Sequence, residues 1–369
     1  MAVNIEIREL KSDLAAEIYI SAVPEGKTPL QEQAQQVFSA IRDTLSSKKA
    51  RILQERIFAS QSAVKILSDI RPKTYGALDD GVPPSFLVCA EGISGPFAGV
   101  QVHAVTSDIP PEPIDSQGKL CGRILRLPGR VYLTLSQISA PHLTQDIEQA
   151  RAILENAESI LKQFGTDFFS VPRTWIWLGD ILSWYDDFNQ VRNKFFTERG
   201  LIGEGTRQSL PASTGIGLVP ADAAKCALDL AAVLEPADSI QYLSAVGKQQ
   251  CALEYGSAFS RASQAITPAG VTVFVSGTAS IDITGATTNI GDPLGQINTT
   301  IENVRAVLKD MHCKDEDVVQ VVAYCKTAEV EKIFNGLKDT IPWPWLTAIC
   351  DICRQDLLFE IEATAMPRT

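Results

Sequence analysis

The hydrophobic pattern of this chain switches between two periods, in an order that recurs three times along its 369 residues. Apolar residues that run together or alternate, as in Val271-Thr-Val-Phe-Val-Ser-Gly277, predict a strand. Apolar residues three and four apart, as at Ile147, Ala150, Ile153, Leu154, Ala157 and Leu161, predict a helix. Each unit reads as a strand, a long helix, a strand, a shorter helix and a Pro-led pair of closing strands. In the first unit these are Glu17–Val23, Pro29–Leu45, Arg51–Ser60, Ser62–Ile70, Ser85–Ala90 and Ala98–Thr106. The second runs Arg130–Ser136, Leu143–Phe164, Val171–Leu178, Trp184–Arg199, a strand within Leu210–Gly217, and Ala227–Leu234. The third runs Val271–Gly277, Gly291–Met311, Asp317–Tyr324, Ala328–Leu337, Trp345–Ile352 and Leu357–Ala365.

The Pro- and Ser-rich Thr106–Gln117 reads as an exposed linker, and Glu235–Asp238 as a second boundary. The expected modules are 1–106, the most diverged, 107–238, and 239–369, each near the size of a small domain.

Composition narrows the function. A net charge of −11 with only short basic runs argues against a nucleic-acid partner. The start, MAVNIEIREL, alternates apolar and charged residues instead of opening a secretion signal, and no apolar run is long enough to span a bilayer. Eight scattered cysteines fit reduced, buried thiols in a cytoplasmic protein. Cys350 and Cys353 form one CxxC, but no second pair follows and there are three histidines, so neither a metal nor another cofactor is expected. The glycines of Gly277–Gly285 and Gly291–Gly295 match no phosphate-binding loop and read as turns before a helix.

The closing segment Asp351–Ala365, DICRQDLLFEIEATA, carries the candidate chemistry. Strand alternation puts Glu360 and Glu362 on one face, with Phe359 and Ile361 on the other. If both carboxylates face a cleft, their repulsion makes one hold its proton near neutral pH; the alternative is an edge strand with two solvated glutamates.

This segment resembles the close of the RidA (YjgF) family, in which a Pro-Ala-Arg-Ser strand precedes a Glu-Ile-Glu-Ala ending. At the position of the family's carboxylate-gripping Arg stands Trp345, with Ser85 and Ser213 in the other two units. RidA proteins are compact homotrimers with active sites between subunits. The resemblance therefore implies an α+β fold of three tandem RidA/YjgF-like (chorismate-mutase-like) modules forming an intramolecular pseudotrimer, without imine deaminase chemistry. A chain that supplies its own trimer faces is expected to be a monomer or a weak dimer.

A narrower resemblance, to the chorismatases, rests on the joint order of several runs. These are Arg173-Thr-Trp175, Trp184-Tyr-Asp-Asp-Phe-Asn189 with Arg192, Pro211-Ala-Ser-Thr-Gly-Ile-Gly217, Tyr255-Gly-Ser-Ala-Phe-Ser-Arg261, Val275-Ser-Gly-Thr278, and Cys353-Arg-Gln-Asp-Leu-Leu-Phe-Glu360. It implies that Glu360 is the catalytic acid with Cys353 beside it, acting on chorismate or a related ring carboxylate. A substrate with two carboxylates and no metal needs protein donors. Arg173, Arg192 and Arg261 are the candidates, with interdomain salt bridging as the alternative. Ser213, Thr214 and the Gly215 amide would add donors, Tyr185 or Trp175 would stack on the ring, and Gly256 and Cys353 would bear on the product isomer. Asp186-Asp187 stands where chorismatases tend to have a basic residue nearby, which leaves room for a different ring substrate. A non-catalytic metabolite-binding protein is the reading from another class.

Overall fold

A computed structural model describes residues 3–203 and 209–367, and its strands form three six-stranded mixed sheets. The first sheet takes β1 (Val3–Lys11), β2 (Ala16–Pro24), β3 (Arg51–Ala59), β4 (Ser85–Val88) and β5 (Phe97–Thr106). The second takes β6 (Glu112–Ser116), β7 (Lys119–Leu127), β8 (Arg130–Ser139), β9 (Arg173–Leu178) and β10 (Ala212–Ile216). Two further strands follow in that stretch of chain, β11 (Val219–Pro220) and β12 (Cys226–Glu235); β12 joins the second sheet, whereas β11 crosses over to pair with β4 of the first. The third takes β13 (Gln241–Leu243), β14 (Ala262–Thr267), β15 (Gly270–Ala279), β16 (Val318–Cys325), β17 (Trp345–Ile349) and β18 (Phe359–Ala365).

The helices are α1 (Leu30–Ser47), α2 (Gln61–Tyr75), α3 (Asp146–Gln163), α4 (Ile181–Glu198), α5 (Pro293–Asp310) and α6 (Ala328–Asn335). Each pair covers the outer face of one sheet and closes a separate apolar core there. The inner faces meet in one further core that mixes Leu53, Phe58 and Leu87 with Trp175 and Trp177 and with Val322, Tyr324 and Leu346. The chain is thus a pseudotrimer folded from one polypeptide, with α+β modules.

The periodicity reading ran short in one respect. Each sheet opens on a hairpin, so β1, β7 and β14 precede the strands taken as first, and their turns at Gly129 and Gly270 sit at positive φ. The stretch expected to be a bare linker contains β6, an edge strand; its Pro113 is tolerated because an edge leaves one row of backbone groups unpaired.

Alternation along β18 follows the expected pattern. Phe359, Ile361, Ala363 and Ala365 join the helix-covered core, so Glu360, Glu362 and Thr364 face inward. The edge-strand alternative does not hold, because β18 lies between β15 and β16 and both glutamates are 4% exposed.

Candidate active site

The second and third modules meet where β10 lies against β15, and a cleft opens there with about 550 Å³ of empty space, part of it open to solvent. Its wall includes Glu360, Cys353, Tyr185, Arg192, Ser213, Gly215 and Arg261 from the expected set. Tyr255, Ser257, Phe259, Gly277, Arg354 and Leu357 join them without having been singled out, although all six lie inside the matched runs.

Glu360 reaches the cleft because the β15–β18 ladder slips. Val275 pairs with Ala363 but Thr278 with Ile361, so Ser276 and Gly277 bulge. The bulge brings Gly277 against the carboxyl: a Cβ there would stand 2.2 Å from Glu360 Oε1. Ser276 Oγ in turn accepts the Ser213 amide at 2.8 Å and donates to the Ser260 carbonyl, joining the two modules beneath the cleft.

Among the described residues no donor lies within hydrogen-bonding distance of the Glu360 carboxyl, and the side chain is buried. Burial, reinforced by the negative charge of Glu362, pushes Glu360 up to about 8 against the opposing pull of Arg173, Arg354 and Arg261. The carboxyl is therefore mostly protonated at neutral pH. Burial and the neighbouring Glu360 also push the Cys353 thiol up to about 12, so it faces the cleft as a neutral thiol.

Arg192 and Arg261 stand on opposite supports. Arg192 donates to Asn189 Oδ1 at 2.6 Å, one turn back on α4. Arg261 donates to the Gln250 carbonyl at 2.9 Å and to the Tyr255 hydroxyl. Arg354 donates to the Gly285 carbonyl at 2.6 Å. Among the described residues none of the three is ion-paired, whereas most buried guanidiniums of this chain are. The loop that carries Tyr255, Ser257 and Phe259 is tied to α4 by Asn193, which donates to the Gly256 carbonyl at 2.8 Å and accepts the Ala258 amide at 3.1 Å. Gly256 thus supports the loop and is not part of the wall.

Arg173, Thr214, Glu362 and Trp175 lie deeper, around the pseudo-threefold axis. Arg173 donates to Glu362 Oε2 at 2.8 Å and to Thr214 Oγ1 at 2.6 Å, while Trp175 Nε1 donates to Glu362 Oε1 at 3.1 Å. Glu362 therefore does not share the cleft with Glu360, and Arg173 takes the bridging role between modules. Trp175 is stacked under Arg56, 3.7 Å from its guanidinium, and is unavailable to a ring in the cleft. Asp186 and Asp187 point to solvent from the outer face of α4, so they subtract nothing from the cleft's positive charge.

Among the described residues, the other two inter-module clefts carry no acid at the position of Glu360. Glu360 pairs across the ladder with Tyr324; the same step is Ala227 opposite Trp177 in the second sheet and Gly99 opposite Phe58 in the first. Between the first two modules the Gln137 side-chain oxygen accepts the Phe86 amide, and the Gln137 backbone N–H donates to Asp229 Oδ1. At the remaining junction Trp345 packs on Phe334 and Trp343.

Residues 256–367 match the family model described as Endoribonuclease L-PSP, to which RidA and YjgF proteins belong. A chorismatase crystal structure superposes over the whole molecule with a TM-score of 0.64, covering 99% of this chain and 100% of that one at 17% identity. The curated 3-hydroxybenzoate synthase of Streptomyces hygroscopicus is 27% identical over 329 residues, 79% of this chain and 88% of that protein. Fold and matches together define a RidA-like fold repeated three times in one polypeptide, with the family model matched in the third module. Within that fold its similarity over most of its length is to a chorismatase structure and to a 3-hydroxybenzoate synthase.

Proposed function

We propose that this chain is a chorismatase-like enzyme that releases pyruvate from chorismate, or from a related enolpyruvyl cyclohexadiene carboxylate, with Glu360 as the acid. The observation that carries this reading is a buried, protonated carboxyl in a cleft with three guanidiniums that, among the described residues, no carboxylate neutralises. In a chain of net charge −11, such a cleft fits a small dianion. The similarity to a 3-hydroxybenzoate synthase supports the same substrate class.

Arg192 and Arg261 would hold the two carboxylates, with Tyr185 and Tyr255 against the ring. Glu360 delivers its proton to the enolpyruvyl methylene carbon, whose double bond supplies the electron pair, and the cation that results is shared with the ether oxygen. Water capture breaks the ether into pyruvate and a dihydroxycyclohexadiene carboxylate. Capture by a group of the ring, followed by aromatisation, gives pyruvate and a hydroxybenzoate without net uptake of water.

Purified protein incubated with chorismate should release pyruvate, and Glu360→Gln should lower kcat by at least ~100-fold while ligand binding persists. Because the acid form is the active one, kcat/KM should be flat at low pH and fall as pH rises through about 8. Ligand binding without turnover in the wild type would instead identify a metabolite-binding protein.

A further inference from the structure

The loop between β15 and α5 borders the cleft with Ile281 and reaches its wall residues Arg354 and Tyr255 through Gly285. Its carbonyl accepts Arg354 Nη1 at 2.6 Å, and its φ of +81° sets it flat on Tyr255, where an added Cβ would meet the ring at 2.7 Å. Asp282 builds the turn that presents this carbonyl, accepting the Thr284 and Ala286 amides and the Thr284 hydroxyl through Oδ1. Gln250 holds the neighbouring Thr284 carbonyl at 2.8 Å. Otherwise the loop is open: Asp282, Ile283 and Thr284 are exposed, while Gly285 is buried.

Arg354 is therefore both a wall of the cleft and the anchor of this loop. Its guanidinium carbon stands 5.5 Å from the Tyr255 ring, and among the described residues its remaining N–H groups have no protein acceptor. A guanidinium can serve a carbonyl on one edge and a carboxylate on another, because its donors lie in a rigid fork. We propose that Arg354 is a substrate-positioning residue: it binds a ligand carboxylate with the donors left free and, by the same contact, fixes the loop that borders the loaded cleft. This rests on reading the cleft as a carboxylate site. Coupling of this kind is reciprocal, so a carboxylate that steadies Arg354 also steadies Gly285, and a firmer loop slows carboxylate release.

The test compares 3-hydroxybenzoate with uncharged 3-hydroxybenzamide by calorimetry, and follows amide hydrogen exchange in 280–292. Wild type should prefer the acid, and the acid alone should slow exchange in the loop. In Arg354→Gln that preference should drop by about tenfold and the slowing should vanish, since the charge-assisted bond is lost while Arg192 and Arg261 remain. If melting shows that Arg354→Gln is unfolded, Arg354→Lys is used for the same comparison, because an ammonium cannot serve both partners in the fork geometry. An acid preference absent from wild type, or unchanged in the variant, overturns the assignment; loop slowing that survives in the variant overturns the coupling. If chorismate yields no pyruvate while the preference still depends on Arg354, the enzymatic reading fails and this one stands.

Discussion

Glu360 keeps its proton chiefly because the fold removes water from it and, among the described residues, supplies no donor in exchange, and that arrangement costs stability. Its ordinary value of 4.5 applies in the unfolded chain, and burial moves it to about 8 on folding. Between those pH values the folded protein retains a proton that the unfolded chain has lost. Stability from this group is thus complete below about pH 4.5 and declines as pH rises toward 8, by about 1.4 kcal/mol per unit. Glutamine stays neutral throughout. Glu360→Gln should therefore match wild type near pH 4.5 and exceed it by a few kcal/mol at pH 8, as measured by urea melts at both. A difference independent of pH would mean that the folded protein does not hold the proton. The alternation of LLFEIEATA already exposed the pairing of Glu360 and Glu362 on one face. Their different partners could not be read there, because Arg173 comes from another module.

Among the elements, β15 matters most for what its bulge permits. Bulged residues re-aim a side chain on the neighbouring strand, and here the room for Glu360 is the missing Cβ of Gly277. Gly277→Ala should push the carboxyl out of line, lowering kcat roughly 100-fold with little change in melting temperature. Kinetics beside a thermal melt check it, and unimpaired turnover would show that the carboxyl need not sit where it does. The Val275–Thr278 run was visible in the chain, but register was not: a slip of pairing depends on which strand arrives beside it, and β18 arrives more than 80 residues later. The opening hairpins are hidden from local periodicity for a related reason. Short strands such as Ala262–Thr267 alternate too few apolar residues to announce themselves, and it is the partner strand that makes them part of a sheet.

Across the whole molecule, the three inner faces converge on a buried charge network to which every module contributes. Arg56 of the first stands 3.4 Å from Asp229 of the second and 3.9 Å from Glu362 of the third, and donates to Gln54 Oε1 at 2.7 Å. Asp229 is pushed up by burial even with Arg56 beside it, and it is further held by Ser85 and the Gln137 amide. Arg56→Met should destabilise by about 3–5 kcal/mol by leaving Asp229 buried and uncompensated. Adding Asp229→Asn should recover a large part of that loss in urea melts. If the single substitution is silent, the network does not hold the modules together. The first module, which supplies no wall to the cleft, thereby supports the junction from which Glu362 and Arg173 act.

The threefold recurrence of elements and the shared face of Glu360 and Glu362 on the last strand follow from local periodicity, since each depends on residues close together in the chain. Which of three similar junctions collects an acid and three unpaired guanidiniums follows from assembly. Arg173, Arg192 and Arg261 are alike as letters, each inside a matched run. Tertiary packing gives Arg173 a carboxylate across a module boundary and gives the other two only neutral partners. A charge is free for a ligand only when nothing folded against it has taken it, and that is a property of long-range contacts.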